Sequence, residues 1–483
     1  MSTALIWFRQ DLRCRDNPAL ISACQNHQKL IPLYIKEMNP VLSTGEAQQW
    51  WLHHSLSSLK KELNQVHLDL YLREAEPLTL LKELVTQYQV EVVYWNRCYE
   101  PMHIARDQRI KAELKSLGIT VISSNGSLLH EPWEILNQNG SYFKVFTPYW
   151  RHCLRQMQVN MPEEVSQWPL KQPIDSQSLE EWHLLPSNPN WAEEFFLHWQ
   201  PGEEGALINL NEFILNHLQG YKEQRNMPAV SATSRLSPHL HFGEISPQQI
   251  WRAMQQAMLE ADCDLSSAHI YLAELGWREF SYHLLYHYPQ LMDTPFKSQF
   301  KHFSWRDDEV ALELWQKGLT GYPIIDAGMR ELWRTGYMHN RVRMIVASFL
   351  TKDLLIDWRK GAAWFWNTLL DADLANNSAS WQWVAGSGAD AAPYYRIFNP
   401  VLQGEKFDPN GEYVKRWVPE LRTVDKKWLH RPWEAPAGTL SLVLGVDYPF
   451  PIVDHQSARQ EALSLYKQLK MKIHHCNNNF YGN

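Results

Sequence analysis

The chain has 483 residues, of which 45% are hydrophobic and 20% charged, and its net charge is −7 at neutral pH. This length exceeds what one hydrophobic core usually supports, so we expect two or three domains of an ordinary folded protein. The acidic balance excludes a generally basic nucleic-acid binder, because phosphate contacts need cations, and a DNA-binding role would therefore require a local basic patch. The longest apolar run, residues 344–350, is too short to span a bilayer.

The first third of the chain alternates short apolar runs with helical stretches. Runs rich in β-branched or aromatic residues occupy 3–8, 30–35, 68–72, 90–95 and 120–124. Helical patterns cover 47–64 and 77–88. This alternation predicts a doubly wound parallel-sheet α/β domain over residues 1–130. The domain has neither a G-x-G-x-x-G nor a Walker sequence, so we expect no standard dinucleotide phosphate loop.

The remainder of the chain changes character twice. Residues 131–200 are rich in Pro, Trp and Ser without steady periodicity, which predicts a long inter-domain linker. Residues 201–473 read as helical throughout and predict an all-α domain, with a short tail over 474–483. In the stretch that begins at residue 340, Asn340 and Met344 lie one turn apart, opposite an apolar stripe. They are either ordinary surface residues or the lining of a cavity, and spacing alone favours the surface.

The cysteines are scattered, with no C-x-x-C pair. The first 16 residues carry charges too early for a secretory signal, so we expect reduced thiols and a cytoplasmic protein. The same scatter argues against a zinc site, and we expect no bound metal.

Three segments of the helical half are specific enough to indicate a function. The first is YKEQR at residues 221–225 followed by TSRLSPHLHFGE at 233–244, where hydroxyls in a turn before a helix are suited to a pyrophosphate. The same residues also make an ordinary helix cap. The second is WREF at 277–280, preceded by Glu274. The third runs from WRKG at 358–361 through DADLANN at 371–377 to WQW at 381–383.

Together these segments strongly resemble the photolyase/cryptochrome family, and specifically its class I photolyases for cyclobutane pyrimidine dimers. The resemblance extends from WFRQDLR at residues 7–13 to RIFNP at residues 396–400. It implies an N-terminal antenna-type α/β domain, a linker and a C-terminal helical domain that holds FAD and binds DNA. It further implies a carbon–carbon lyase that repairs dimers in double-stranded DNA by light-driven electron transfer. We expect the enzyme to be a monomer that does not bind membranes.

The resemblance also assigns roles to individual residues. Those implied to bind FAD are Tyr221, Thr233, Ser234, Arg235, Leu236, Ser237, Arg343, Asp371, Ala372, Asp373 and Asn377. Those implied to contact the lesion or the DNA strand are Arg225, Glu274, Trp277, Arg278, Asn340, Arg341, Met344, Trp383 and Gln403. Trp305, Trp358 and Trp381 match a chain of redox tryptophans that photoreduces oxidised FAD, and Asn377 is expected to face the flavin N5. Glu274 and Asn377 are therefore expected to be catalytic, together with these three tryptophans.

These roles agree with elementary chemistry. Splitting a dimer needs an electron, which the cofactor supplies while the protein provides binding and electrostatics. A flipped lesion needs aromatic stacking faces, such as Trp277 and Trp383, and polar groups for the base edges, such as Glu274 and Asn340. Each Trp taken alone is better explained by core packing, and only the joint pattern overturns that explanation. The local basic patch is predicted at Arg225, Arg341, Arg396, Lys406, Lys415 and Arg416.

Some positions distinguish members of the family. Asn340 and Met344 stand where photolyases for the six-four lesion have paired histidines, which disfavours that substrate. His103, Met292 and Asp293 replace residues that bind a folate antenna in close relatives, so folate, deazaflavin, flavin or no antenna all remain open. Tyr271 stands in place of a Trp near the flavin. The alternative function is a cryptochrome-type photoreceptor that signals through a protein partner. The intact lesion pocket and the lack of a long C-terminal extension favour repair.

Overall fold

In a computed structural model of the protein, the structure describes residues 2–158, 164–392 and 395–480, with the backbone alone for 472–480. The chain divides into two compact units. Unit 1 comprises Met1–Gly220, Thr233–Pro289 and Leu370–Asp373. Unit 2 comprises Tyr221–Ala232, Gln290–Leu369 and Leu374–Asn483. Each unit is therefore built from separate stretches of sequence, while the predicted domain boundaries near residues 130 and 200 stay predictions.

Unit 1 contains a parallel β-sheet. Its strands are β1 (Thr3–Phe8), β2 (Lys29–Glu37), β3 (Tyr71–Ala75), β4 (Val90–Asn96), β5 (Thr120–Ser124) and β6 (Leu170–Lys171). The order β3-β2-β1-β4-β5, with every neighbour parallel, is that of a doubly wound sheet, so the predicted fold class is confirmed. Strand β3 begins three residues later than the sequence pattern predicts. Leu68 and Leu70 are buried, as strand residues would be, but they lie in the loop that precedes the strand.

The central strand explains the continuous apolar signal at the N-terminus. Every residue of β1 is buried, since helices cover both faces of a parallel sheet. On one side, Leu5, Trp7 and Val93 pack with Leu81 and Leu114 in a single hydrophobic cluster. The helices before residue 220 are α1 (Pro18–Asn26), α2 (Glu46–Gln65), α3 (Pro77–Gln87), α4 (Pro101–Ser116), α5 (Phe146–Gln156) and α6 (Glu203–Glu212).

Two elements lie inside the stretch predicted as an irregular linker. Strand β6 pairs with the first residues of β2, Lys29 and Leu30, ahead of the point where β3 begins. Helix α5 buries Phe146, Tyr149, Trp150 and Cys153 on one face. These positions follow the spacing i, i+3, i+4 and i+7, which is the apolar pattern of an amphipathic helix. The sequence therefore contained the helical signal, although the surrounding stretch is rich in Pro and Trp.

The rest of the described chain is helical, as predicted. The helices are α7 (Tyr221–Gln224), α8 (Ser237–Phe242), α9 (Pro247–Ala257), α10 (Leu265–His287), α11 (Glu309–Gln316), α12 (Pro323–Thr335), α13 (Asn340–Ser348), α14 (Trp358–Thr368), α15 (Leu374–Ala385), α16 (Pro400–Phe407), α17 (Glu412–Trp417) and α18 (His455–Phe480). The predicted helix that starts at Asn340 changes to a π-helical turn over Phe349–Asp353. Among the described helices, none combines the length and the apolar character needed to cross a membrane.

Side-chain caps fix the helices that carry the predicted site residues. Asp264 accepts a hydrogen bond from the Ser267 N–H and starts α10. His339 accepts from the Arg341 N–H and starts α13, which sets Asn340 at the first helical position. Asp357 caps α14 and so fixes Trp358. Each cap satisfies a backbone N–H that a helix start would otherwise leave unpaired.

Candidate functional site

In unit 1, the predicted flavin ligand Asp373 lies in a buried polar network. Its carboxylate accepts a hydrogen bond from the Tyr282 hydroxyl and lies 4.0 Å from Nδ1 of His241. Burial opposes ionisation, but His241, the charge of Arg278 and the Tyr282 hydrogen bond together lower the pKa of Asp373. The preceding carbonyl, that of Ala372, accepts a hydrogen bond from Gln48. The network keeps Asp373 an anion in a fixed orientation.

The predicted phosphate turn, residues 233–237, also belongs to unit 1. Arg235 has a φ of 53°, so the chain turns sharply there, and its guanidinium lies 4.0 Å from the ring centroid of Trp199. The Thr233 and Ser234 side chains are half-buried, and Ser237 is exposed at the first turn of α8. Leu236 is buried and anchors the turn. The turn thus combines three hydroxyl side chains with an arginine that lies over the Trp199 ring.

The three predicted lesion residues of unit 1 lie along α10 and differ in their surroundings. Glu274 is half-buried. Trp277 is 37% exposed. Arg278 donates to the Ser127 carbonyl at 2.8 Å, its side chain is only 12% exposed, and its guanidinium lies 5.0 Å from the centroid of the Tyr282 ring. The position of Arg278 suits it to support the Asp373 network better than to contact DNA, and its DNA role stays a prediction.

In unit 2, the start of α13 is joined to a segment more than 100 residues earlier. Arg341 donates to the Asn226 amide oxygen at 2.6 Å, lies 3.7 Å from the Met344 sulfur and covers the ring of Phe407 at 4.5 Å. Asn340 is exposed and Met344 half-buried. Phe407 ends α16, one turn after the predicted DNA contact Gln403. The structure thus brings the predicted residues of α13 and α16 beside the Arg225–Asn226 segment.

This part of unit 2 carries concentrated positive charge. Burial, with the charges of Arg225 and Arg396, lowers the pKa of Arg341. Burial and the neighbouring arginines lower the pKa of His339 to about 3, so its ring is neutral at physiological pH. Burial also lowers the pKa of Lys352 to about 7, and the charge of Arg396 adds to that effect. Mutual repulsion of this kind is relieved when an anion binds.

The three predicted redox tryptophans belong to unit 2, and two of them lie on packed helices. Trp381 of α15 is buried. A Cβ atom added to Gly361 of α14 would lie 2.2 Å from Cη2 of Trp381, so the indole fits there only because residue 361 is a glycine. Trp358 is buried one turn before Gly361. The Arg306 N–H donates to the Leu355 carbonyl at 2.7 Å, which holds the neighbouring Trp305 beside the segment that leads into α14. Trp305 is half-buried, so burial decreases toward the third tryptophan.

Three of the remaining predicted residues of unit 2 donate hydrogen bonds to backbone carbonyls. Asn377 donates its amide to the Ala362 carbonyl at 3.0 Å. Arg343 donates to the Met338 carbonyl at 2.7 Å. Trp383 donates to the Asp390 carbonyl at 3.2 Å and lines a cavity with Lys352 and Arg396. Tyr221 is buried, and Arg225 lies 5.6 Å from its ring centroid.

The donor set fits the cofactor that the sequence predicts. Hydroxyls at 233, 234 and 237 are suited to a pyrophosphate, and an anionic Asp373 is suited to the N–H and O–H groups of a flavin nucleotide. Of the predicted flavin residues, 233–237 and 371–373 belong to unit 1, and Tyr221, Arg343 and Asn377 belong to unit 2.

The positions that depart from the family pattern have ordinary structural partners. His103 Nδ1 lies 3.0 Å from a carboxylate oxygen of Glu100. Asp293, which follows Met292, accepts from Arg359 through its carbonyl at 2.7 Å. Tyr271 is buried, packs on Phe213 at 4.3 Å, and burial raises its pKa. Nothing in these contacts selects an antenna.

Two groups of potential metal-ligating atoms come together in unit 1. They are Cys98, Glu100 and His103, and Cys14, Glu62 and Glu203. In the first group, burial raises the pKa of the Cys98 thiol to about 12, and in the second, burial and the neighbouring Glu203 raise the pKa of Glu62 to about 8. The expectation of no bound metal stays a prediction.

Sequence reasoning missed the residues that orient Asp373. Gln48 lies in α2, His241 in α8 and Tyr282 in α10, and nothing in their local sequence indicates a shared neighbour. One signal was present for Tyr282, which follows Arg278 by four positions and so lies on the same helix face.

The sequence matches two families of known proteins over most of its length. The family described as DNA photolyase matches residues 4–168, and the FAD binding domain of DNA photolyase matches residues 271–468. A deoxyribodipyrimidine photo-lyase of Agrobacterium fabrum is 48% identical over 477 residues, covering 96% of this chain and 98% of the relative. The chain belongs to the photolyase/cryptochrome family. The predicted photolyase-type flavoenzyme architecture and the FAD cofactor are confirmed at this level.

Relatives of both functional kinds are found within the family. The Escherichia coli deoxyribodipyrimidine photo-lyase is 38% identical over 97% of this chain and 99% of its own length. Cryptochrome-2 of Arabidopsis thaliana is 37% identical over 97% of this chain and 80% of its own. The photo-lyases matched over nearly the full chain confirm the predicted enzyme class, whereas the lesion that is repaired and the electron transfer belong to the proposal below.

Solved structures correct the predicted subtype. The bacterial class III photolyase from Agrobacterium tumefaciens has a TM-score of 0.95 and 47% identity, with 98% of each chain covered. The predicted class I subtype is therefore not supported. The motifs that suggested it occur in this protein, and this protein is highly similar to a class III photolyase. An archaeal photolyase from Sulfolobus tokodaii, solved with two FAD molecules, has a TM-score of 0.80 and 29% identity, with 96% of this chain and all of that chain covered.

Proposed function

We propose that the protein is a light-dependent DNA repair enzyme of the class III photolyase type that splits cyclobutane pyrimidine dimers in double-stranded DNA. The observation that carries the proposal is the group of cations, Arg225, Arg341 and Arg396, beside the exposed Asn340 and half-buried Met344 of unit 2. These arginines repel one another on a protein whose net charge is −7. Such a local patch is what phosphate binding requires of an acidic protein.

Two further residues with proposed lesion chemistry lie on helix α10 of unit 1. The exposed indole of Trp277 offers a stacking face to a base that has left the helix, which compensates for the stacking that base has lost. Glu274, three residues earlier on α10, offers a carboxyl group to the edge of a pyrimidine. Asn340 of unit 2 offers an amide, which can donate to a carbonyl and accept from a ring N–H.

FAD held by the turn at 233–237 and by Asp373 would supply light-driven one-electron chemistry for splitting the dimer. The protein's own residues then have defined tasks. The network around Asp373 keeps its carboxylate charged for the cofactor. Asn377 uses its amide nitrogen to donate to the Ala362 carbonyl and is proposed to turn its amide oxygen toward the flavin. Trp381, Trp358 and Trp305 are proposed to carry an electron inward when the flavin has become oxidised.

Repair of a defined lesion tests the proposal. The protein with chemically reduced FAD is mixed with a duplex containing one thymine cyclobutane dimer, and restored thymines are measured by chromatography. We expect repair under blue light, none in the dark, and none of a six-four lesion in the same duplex. Arg341→Ala should weaken the complex, whereas Arg334→Ala, an exposed arginine on α12, is the matched control.

The outcomes separate the two functions found in the family. Equal repair in the dark, or no repair by reduced protein in the light, would contradict the enzyme proposal. A light-induced flavin change without repair would instead favour a photoreceptor like the plant cryptochromes. An absorption spectrum of the purified protein shows which second chromophore accompanies FAD, and gel filtration tests the expected monomer.

A further inference from the structure

Three aromatic rings of unit 1 form a parallel stack that ends at the exposed indole of Trp277. Phe146 stacks on Trp277 with ring centroids 3.7 Å apart and planes 9° apart. The ring of Trp150, one turn later on α5, is nearly parallel to Phe146, with centroids 6.4 Å and planes 13° apart. Trp150 and Phe146 are 8% and 9% exposed, whereas Trp277 is 37% exposed. The stack therefore runs from the interior to an open face.

The inner end of this aromatic stack is fixed by its surroundings. A Cβ on Gly276 would lie 2.6 Å from Cδ2 of Trp150, so α10 approaches that ring as closely as only glycine permits. Trp251 meets Trp150 edge-on at 6.1 Å and 77°. Because α5 supplies Phe146 and Trp150 one turn apart, both rings lie on the same face of the helix.

Phe146 is also contacted edge-on by a fourth aromatic ring. The ring of Phe280 meets Phe146 at 6.0 Å and 69°, and meets Trp277 at 6.0 Å and 74°. Offset-stacked and edge-on pairs are the favoured aromatic geometries. With one face covered by Phe146 and one edge by Phe280, Trp277 keeps a single orientation and a single open face.

We propose that Phe146 is a positioning residue that holds the Trp277 indole flat, with one face open to the flipped pyrimidine dimer. The inference rests on the proposed repair function. It assigns a role to helix α5, which carries none of the predicted lesion residues. An exposed indole without this support would sample several rotamers and lose that freedom on binding. Holding the ring in its bound orientation removes most of that cost in advance.

The expected effect is selective for damaged DNA. Phe146→Leu should weaken binding of a dimer-containing duplex by about 3- to 10-fold, the affinity equivalent of ordering one large side chain. Binding of undamaged duplex should not change, because phosphate contacts do not involve Trp277. Repair per absorbed photon at saturating DNA should also be kept. Phe146→Tyr retains the stacked ring and should restore the affinity.

Two controls separate positioning from general damage to the fold. Tyr149→Leu removes another buried aromatic ring from α5, one that packs on Phe280 and His283 rather than on Trp277, and should leave discrimination intact. In a Trp277→Ala background, Phe146→Leu should have no further effect on damaged-DNA affinity. If the leucine variant fails to retain FAD, Phe146→Met, which adapts to irregular space, provides the same comparison.

The results distinguish failure of this inference from failure of the proposed function. If the wild-type protein does not prefer damaged DNA, the proposed function fails. If the wild-type protein prefers damaged DNA and Phe146→Leu keeps that preference, or if the two substitutions act additively, Phe146 does not position Trp277 and the inference is overturned.

Discussion

Replacement of one buried carboxyl group should change how the stability of unit 1 depends on pH. Glu279 of α10 is 2% exposed, and its Oε2 accepts hydrogen bonds from the N–H groups of Leu129 at 2.9 Å and His130 at 3.2 Å. Burial raises the pKa of Glu279 from 4.5 to about 7, even though Arg278 and the two N–H groups favour the charged form. The Glu279 carboxyl thus holds the segment around Leu129 and His130 in place, although its ionised form is destabilised by burial.

The sign and size of the effect follow from proton linkage. In the unfolded chain the group loses its proton near pH 4.5, and in the folded protein near pH 7. Between these values the folded state binds more protons, so the free energy of unfolding falls as the pH rises. The total loss is roughly 3.5 kcal/mol, because the folded and unfolded pKa values differ by about 2.5 and each pKa unit corresponds to about 1.4 kcal/mol.

Glu279→Gln keeps the shape and an oxygen acceptor but cannot ionise. We expect the variant to be within about 1 kcal/mol of the wild type at pH 5, and more stable by up to roughly 3 kcal/mol at pH 8. Urea denaturation at pH 5, 6, 7 and 8 measures the difference. Glu134→Gln, an exposed carboxyl in the same connecting segment, is the control. Parallel stability curves for wild type and Glu279→Gln would refute the reasoning.

Three further substitutions test the proposed site. Trp381→Phe should sharply slow photoreduction of oxidised FAD while chemically reduced protein still repairs, and loss of neither activity would refute the electron chain. Arg225→Ala should flatten the slope of log affinity against log salt by about one, and an unchanged slope would remove Arg225 from the DNA surface. Gly361→Ala places a Cβ 2.2 Å from Trp381, which should cost up to about 2 kcal/mol after the gain in helix propensity and alter photoreduction. Ala363→Leu on the exposed face of α14 is its control, and equal thermal melts for the two variants would contradict the packing argument.

The sequence predicts best where one local signal decides the structure. The buried strand β1 and the helical stripe of α13 follow directly from apolar periodicity. Helix α5 was missed although its apolar spacing is helical, because Pro and Trp dominated the composition of that stretch. The subtype was wrong for another reason. The resemblance assigns the quoted motifs to flavin and lesion binding, and these motifs occur in a chain that is 47% identical to a class III photolyase.

The predicted site residues show a similar limit. Arg341 was predicted as a DNA contact, and the structure gives it partners at Asn226 and Phe407 that no spacing rule indicates. The supports of Asp373, from Gln48 to Tyr282, are more than 230 positions apart and meet only through the fold. Local patterns identify which residues carry chemistry, whereas the residues that orient them depend on tertiary packing.

The division of unit 1 into three sequence segments has a consequence for its synthesis. The Gln48 side chain donates to the carbonyl of Ala372, and the Arg13 side chain donates to that of Gly243 at 2.9 Å. A ribosome that adds about 5–20 residues per second reaches residue 373 roughly 20–75 s after it begins, so the first strands wait that long for their last partners. During this interval the growing chain exposes polar and apolar surface that the finished unit buries. Chaperone demand should therefore rise with any codon change that slows translation between residues 220 and 373.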